Sequence, residues 1–105
     1  MIVLKEERFD EFMTGRTALV KLSVSWCAPC RTIAPILKDV AEETGIELIE
    51  VDTDLRADVA AALGVSSVPS VIAYKEGVPV GGLTGSHKYE KYLALAHQAL
   101  TPTIK

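Results

Sequence analysis

Hydrophobic positions along this chain occur in two kinds of run, and their order predicts an α/β fold. Short, nearly continuous apolar runs are typical of strands buried on both faces, whereas apolar residues three or four positions apart predict helices. The runs that predict strands occupy residues 2–4, 18–24 and 46–51. The segments that predict helices occupy 5–14, 28–44 and 54–63, and each is followed by a glycine suited to a helix end.

The last forty residues predict a hairpin and a final helix. Residues 71–74 and 78–83 flank the turn sequence Lys75-Glu76-Gly77. Ser86 is predicted to cap the last helix, whose apolar and aromatic residues include Tyr92, and Pro102 prevents that helix from continuing. Strands separated by helices imply parallel pairing, and the hairpin adds antiparallel pairing. We therefore predict one domain over residues 1–105, with a central mixed five-stranded sheet flanked by four helices on both faces.

Composition narrows the classes of partner. The 11 basic and 14 acidic residues give a net charge of −3, so nothing favours nucleic acid or an anionic membrane as partner. No apolar run is long enough to cross a bilayer, and the N-terminal residues do not form a secretory signal. Two cysteines cannot form a disulfide-rich scaffold. We expect a cytoplasmic monomer in which the cysteine pair is chemical rather than structural.

The cysteine pair lies in Trp26-Cys27-Ala28-Pro29-Cys30, where a buried strand gives way to a helix. Unpaired backbone N–H groups at a helix N-terminus stabilise an anion, so a thiol there has a lowered pKa. Pro29 suits a first helical turn because its missing N–H has no partner there. Cys27 should be exposed and nucleophilic, and Cys30 should be shielded and placed to attack a sulfur attached to Cys27.

Three other interpretations of the pair compete with redox chemistry. A structural disulfide is unfavourable because closing so short a loop removes little chain entropy. A zinc site needs four ligands, but only His87 and His97 are available, without the usual spacing, so we predict no metal. Two inert buried cysteines are the third possibility, and the adjoining Trp26 and Pro29 argue against it. The redox interpretation is favoured.

The chain resembles the thioredoxin family over nearly its whole length. The resemblance rests on the Trp-Cys-x-Pro-Cys motif together with residues spread through the rest of the chain. Those residues are Pro35, Val51-Asp52, Val68-Pro69, Gly77 and Gly85.

The resemblance implies a thioredoxin fold and a set of site residues around the cysteines. It implies a cis Val68–Pro69 bond packed against them, whose backbone pairs with an extended substrate, and a kink at Pro35. Trp26 is expected to form an apolar platform with Ala28, Pro29, Val68 and Gly85. The substrate groove is expected to comprise Val51, Ser67, Val68, Pro69, Thr84 and Gly85.

Lys21 is the main departure from the family pattern. The family usually has a buried Asp at this position, thought to relay protons to and from the second cysteine, and a Lys at the position of Leu48. One interpretation is that the Lys21 stem lies on apolar surface and its amino group reaches water. The other is that Lys21 stays charged beneath the active site, paired with Glu50, favours thiolate at both cysteines and makes the protein a stronger oxidant.

Three smaller departures from the family pattern and three polar residues outside the cysteine motif also carry predictions. Ala28, Ser67 and Ser23 replace residues common in the family and could alter substrate choice. Asp54 is predicted to cap the third helix. The two histidines, His87 and His97, are predicted to lie on helix surfaces.

The function predicted is thiol–disulfide oxidoreductase, reducing protein disulfides through Cys27 and Cys30 without a metal or bound cofactor. The resemblance implies an NADPH-linked thioredoxin reductase and disulfide-containing client proteins as partners. One alternative is a more oxidising disulfide donor or isomerase. The other is a non-catalytic subunit that uses the fold for binding alone.

Overall fold

Five strands form one mixed sheet in the computed structural model, which describes residues 1–102. The spatial order is β1-β3-β2-β4-β5. The pairs β1–β3 and β3–β2 are parallel, while β2–β4 and β4–β5 are antiparallel. The predicted mixed five-stranded sheet is therefore confirmed. The strands are β1 (Ile2–Val3), β2 (Ala18–Ser23), β3 (Glu47–Asp52), β4 (Ser70–Lys75) and β5 (Val78–Thr84).

Four helices cover the two faces of this sheet, as predicted. The helices are α1 (Phe9–Met13), α2 (Ala28–Thr44), α3 (Ala57–Leu63) and α4 (Tyr89–Leu100). The stripe Ile33, Leu37 and Val40 of α2 packs with α4 residues on one face. Residues of α1 and α3 pack on the other face. Among residues 1–102, no helix is both long and apolar enough to cross a membrane.

Helix α2 matches its prediction at both ends. Its first residues are Ala28 and Pro29, and it ends at Gly45, whose φ of 76° is a left-handed value that glycine adopts without strain. Pro35 lies inside the helix, as predicted, and on its exposed side. Because α2 begins immediately after Cys27, its first turn carries the Cys30 sulfur to the end of the sheet.

Helices α1 and α3 begin three or four residues later than predicted, and Arg56 lies at both starts. Its guanidinium donates to the carbonyl oxygens of Lys5 and Glu7 at 2.8 and 2.7 Å, which keeps residues 5–8 out of helix. Arg56 is itself the N-cap residue of α3, so the prediction that Asp54 caps this helix is wrong. Arg56 also pairs with Asp58 in the first turn of α3 at 3.0 Å.

The start of α4 also differs from its prediction. The N-cap residue is Lys88 rather than Ser86, so residues 85–88 form a loop between β5 and the helix. His87 lies in this loop and not on a helix surface, because its backbone N–H and its ring are held by Tyr92 and Thr84. His97 lies on α4 and is exposed, as predicted.

Strand alternation decides which side chains lie under α2. Leu19 of β2 and Leu48 of β3 belong to the cluster that α2 covers, whereas Val20 and Ile49 belong to the opposite one. Side chains two residues apart share a face, so Lys21 and Glu50 lie on the α2 side. These two residues are register partners in the parallel β2–β3 pair.

Candidate active site

The two cysteines form a disulfide at the junction of β2 and α2. Their Cα atoms are 5.3 Å apart, an ordinary separation for a disulfide. Cys27 is the N-cap residue of α2, and its sulfur accepts a hydrogen bond from the backbone N–H of Cys30 at 3.2 Å. The arrangement places one sulfur at the helix end and the other one turn inside, as the motif predicts.

The exposure of Cys27 differs from its prediction. Only 7% of the residue is exposed, against 2% for Cys30, so the expectation of an exposed Cys27 is wrong for this disulfide form. The reason is that both cysteines pack into a small cluster with Val24, against which Val68 also packs. Cys27 is nevertheless the more accessible sulfur-bearing residue of the two.

The helix end favours a negative charge at Cys27. A backbone N–H already faces its sulfur, and the partial positive charge of the helix N-terminus adds to that bond. The first turn of α2 carries no acidic residue that would oppose an anion. When the disulfide is reduced, the same groups are in place to stabilise a thiolate.

A groove of about 1020 Å³ runs beside Cys30, and we call it the Cys30 groove. Its lining includes Cys30, Lys21, Ser23 and Glu50. The Lys21 amino group lies 3.2 Å from Glu50 Oε1, and the hydroxyl of Ser23 donates to the same oxygen at 3.1 Å. Lys21, Glu50 and Ser23 are therefore in contact with one another. They place a cation, a carboxylate and a hydroxyl on the groove that Cys30 also lines.

Lys21 does not extend its amino group into bulk water. Its side chain is 4% exposed, and that of Glu50 is 26% exposed. The interpretation in which Lys21 reaches water is therefore wrong, and the predicted pairing with Glu50 is confirmed. The reason is the strand register, which places the two residues opposite each other under α2. Leu48 is buried among the core residues on this face.

The Val68–Pro69 peptide bond is cis, as the resemblance implies. Val68 is half-buried against the cysteine cluster, and Pro69 is fully buried. The carbonyl of Pro69 accepts a hydrogen bond from the backbone N–H of Gly85 at 2.8 Å. The structure thus brings the cysteines, the Val68–Pro69 segment and Gly85 into one continuous region.

Two predicted groove residues, Val51 and Pro69, do not lie at the surface. Val51 has no exposed area and packs in the core cluster on the α1 and α3 side, so its placement in the groove is wrong. It shares that face with Ile49, two residues earlier in β3, and this alternation is the sequence signal that indicates burial. Ser67 and Thr84 are exposed beside the cis bond and Gly85.

Trp26 projects from the site and is anchored to the loop after β3. The residue is 72% exposed, and its indole N–H donates to Asp54 Oδ2 at 2.8 Å. Leu55, the next residue of that loop, is 80% exposed. An exposed tryptophan held in place beside a reactive sulfur provides a fixed apolar contact for a partner chain. Ala28 and Pro29 are exposed on the same helix end.

Two residues of the site were given other roles by the sequence analysis. Asp54, predicted as a cap, holds the Trp26 indole, and no local pattern indicates a contact across 28 positions. Tyr92, predicted only as part of an apolar helix face, contacts the loop at Gly85 through its hydroxyl. A buried tyrosine usually has a hydrogen-bond partner for its hydroxyl, and this is the signal that could have singled it out.

The described part of the chain places no cluster of metal-ligating side chains beside the cysteines. Within residues 1–102, no group of three or more His, Cys, Asp or Glu side chains is placed to hold a metal ion.

Comparison with known proteins gives consistent matches across the chain. The family model described as Thioredoxin matches residues 1–98. Thioredoxin of Staphylococcus haemolyticus is 31% identical over 87 residues, covering 81% of this chain and 84% of that protein. Thioredoxin H-type 1 of Nicotiana tabacum is 31% identical over 106 aligned positions, covering 95% of this chain and 84% of that protein.

Solved structures agree with these sequence matches. The reduced thioredoxin pre-protein of Schistosoma mansoni superposes with a TM-score of 0.82 at 29% identity, covering 92% of this chain and 95% of that one. A mutant thioredoxin of Halobacterium salinarum superposes with a TM-score of 0.86 at 22% identity, covering 99% and 93%. The second likeness is one of fold alone.

Proposed function

This chain belongs to the thioredoxin family and is a thiol–disulfide oxidoreductase, and from that premise we propose that it reduces protein disulfides, with Cys27 as nucleophile and Cys30 as resolving thiol. The observation that carries the proposal is the position of the two sulfurs. Cys27 caps α2, receives the Cys30 N–H and is the more exposed of the pair, so it is the sulfur that a substrate meets first.

The proposed reaction has two exchange steps. The Cys27 thiolate attacks one sulfur of a client disulfide, which forms a mixed disulfide and releases the other client sulfur as a thiolate that takes up a proton. Cys30 then loses its proton and attacks the Cys27 sulfur, which releases the second client thiol and closes Cys27–Cys30. The client gains two electrons and two protons. The second attack is fast because the cysteine Cα atoms are held 5.3 Å apart.

We assign client binding to the surface around the cis bond. Val68, exposed Ser67 and the Thr84–Gly85 segment flank the cysteines, and Trp26 provides an apolar contact held by Asp54. An extended client segment can pair with the Val68 backbone in the manner of an added strand, with the exposed residues Ala28 and Pro29 beside it. Pro35 lies inside the helix that follows Cys27, and a kink at this position is the proposed way in which it modulates the site.

Lys21 is proposed to modulate the cysteines. Its buried ammonium and Glu50 line the same groove as Cys30, so a positive charge faces the groove of the sulfur that must ionise in the second step. A cation beside a thiol favours its thiolate form. The Glu50 carboxylate partly offsets that charge because it shares the ion pair.

The partners and setting follow from the chemistry. Disulfide-containing proteins are the proposed clients, and an NADPH-linked thioredoxin reductase is the proposed source of the two electrons that restore the dithiol. We further propose a cytoplasmic monomer. Every group used in the two steps comes from this one chain, and a chain whose two cysteines are both in the reactive pair suits a reducing compartment.

Catalysed reduction of insulin by dithiothreitol tests the proposed function. Addition of the protein should accelerate the precipitation of reduced insulin chains at least tenfold over dithiothreitol alone, because the ionised Cys27 exchanges faster than a free thiol. The control is Cys27→Ser, which keeps the fold and removes the nucleophile. Equal rates for the parent and the control would identify the chain as a binding subunit.

One observation favours a second function. The burial of Lys21 beside the Cys30 groove would stabilise the reduced pair and make the protein a better disulfide donor or isomerase. The reduction potential of the Cys27–Cys30 pair separates the two directions. A potential more reducing than the glutathione pool supports the reductase, and a potential well above it supports the donor.

A further inference from the structure

Tyr92 makes polar contacts that a helix-core residue does not need for packing. It has no exposed area, and it lies on the face of α4 that packs against the sheet. Its hydroxyl donates to the carbonyl of Gly85 at 3.1 Å and accepts from the backbone N–H of His87 at 3.2 Å. Both partners belong to the loop between β5 and α4.

Gly85 connects Tyr92 to the segment beside the cysteines. The N–H of Gly85 donates to the carbonyl of Pro69 at 2.8 Å, while its own carbonyl receives the Tyr92 hydroxyl. The φ of Gly85 is 83°, a left-handed conformation that glycine adopts freely and leaves as freely. A residue with so much backbone freedom needs outside contacts to stay in one conformation.

His87 contacts the last residue of β5, which precedes this loop. A ring nitrogen of His87 lies 2.8 Å from the carbonyl oxygen of Thr84. The ring also meets the Tyr92 ring edge to face, with centroids 6.0 Å apart. The carbonyls of Thr84 and Gly85 are therefore both occupied by side chains from α4 and its entry loop.

We propose that Tyr92 is a positioning residue, whose hydroxyl holds Gly85 and, through it, the Pro69 segment in the conformation that binds an extended client chain. The inference rests on the proposed function of the site. Burial raises the pKa of Tyr92, so the hydroxyl keeps the proton that it donates to Gly85 throughout the working range. Tyr92 touches neither sulfur, and it acts on client affinity rather than on the exchange steps.

The test compares a protein substrate with a small disulfide. In Tyr92→Phe, we expect KM for insulin to rise about fivefold, the effect of one lost hydrogen bond, while kcat stays within about twofold. The rate with 2-hydroxyethyl disulfide should not change, because that molecule has no peptide backbone to pair with the Val68 segment. His87→Ala, which removes the contact to Thr84, should raise the insulin KM by a smaller factor.

Tyr89→Phe is the matched control. Tyr89 lies on the same helix and packs against the same core, and its hydroxyl makes no hydrogen bond to any residue in the described range 1–102. This variant should leave KM and kcat for insulin, and the rate with 2-hydroxyethyl disulfide, at the parent values. An unchanged insulin KM in Tyr92→Phe would overturn the inference. Equal losses of activity with insulin and with 2-hydroxyethyl disulfide would also overturn it.

An unfolded variant and an inactive parent protein are two further possible outcomes, and each has its own meaning. If Tyr92→Phe lacks a cooperative thermal unfolding transition, His87→Ala replaces it as the test. A raised insulin KM in His87→Ala then supports the inference, and a KM at the parent value overturns it. If the parent protein reduces neither substrate, the proposed function fails. An active parent with an unmoved KM in the folded variant overturns the positioning role alone.

Discussion

Replacing Cys30 with serine should stop multiple turnover and leave the protein covalently joined to its client through Cys27. Cys27 keeps its helix end in this variant, so the first attack on a client disulfide proceeds. The second attack has no thiol, so only free thiols in solution can release the client. Because an adjacent thiol acts at an effective concentration far above that of any added reductant, we expect turnover to fall at least a hundredfold.

Mass spectrometry under non-reducing conditions measures this outcome. The Cys30→Ser protein incubated with insulin should gain the mass of one insulin molecule, whose two chains stay joined by the interchain disulfide that is not attacked, and dithiothreitol should remove it. Cys27→Ser is the matched control and should gain nothing, although it keeps the other thiol. An adduct on Cys30 in the Cys27→Ser protein, with none in the reverse variant, would exchange the roles assigned to the two sulfurs.

Glu50→Gln should lower the free energy of unfolding by about 2 kcal/mol, because it leaves the buried Lys21 ammonium without its carboxylate. The Lys21 side chain is only 4% exposed, so water cannot replace the lost partner without rearrangement. The partial exposure of Glu50 places the effect below that of a fully buried pair. Chemical denaturation monitored by circular dichroism gives the value.

Two further variants isolate the ion pair. Glu47→Gln is the matched control on the same strand, because Glu47 pairs with Arg16 at 3.1 Å with both side chains more than a third exposed, and its loss should cost under about 1 kcal/mol. The double variant Lys21→Met with Glu50→Gln removes both charges and should recover most of the lost stability. A single Glu50→Gln no less stable than Glu47→Gln would contradict the account of this pair.

The single variant Lys21→Met tests the effect of Lys21 on the cysteines. If the ammonium stabilises the thiolate form, Lys21→Met should make the pair more reducing by about 30 mV, the two-electron equivalent of a tenfold change in equilibrium. Equilibration with glutathione measures the potential in both proteins. Equal potentials would confine Lys21 to a structural role.

The sequence predicted α2 and the cysteine chemistry well because their signals are local. Cys27, Pro29 and Gly45 each fix a helix position through their own backbone or side-chain properties. The alternating order of strands and helices, together with the hairpin turn at Gly77, was sufficient to predict the mixed sheet. These features need no information about distant parts of the chain.

The incorrect helix starts have a different physical origin. Arg56 reaches the carbonyls of Lys5 and Glu7 from about fifty positions away, and Tyr92 holds the backbone of Gly85 and His87. Such side-chain-to-backbone bonds replace the caps that local sequence suggests. They form only after the sheet has brought the segments together, so a pattern read along the chain cannot reveal them.

The site shows the same division between local and long-range signals. The pairing of Lys21 with Glu50 could be anticipated because strand residues of opposite charge lie on adjacent predicted strands. The bond between Trp26 and Asp54 could not, because it depends on where the loop after β3 passes the helix end. Val51 was misplaced although the alternation with Ile49 indicates burial, since the family pattern was given more weight than the strand period.

The pH dependence of Cys27 ionisation tests the central claim most directly. The fully reduced protein is treated with iodoacetamide at a series of pH values, and mass spectrometry identifies the modified sulfur. We expect Cys27 to react first, with a midpoint at least one unit below the ordinary thiol value of about 8.5, and Cys30 to stay protected. Modification of Cys30 first, or a Cys27 midpoint at the ordinary value, would contradict a thiolate held at the end of α2.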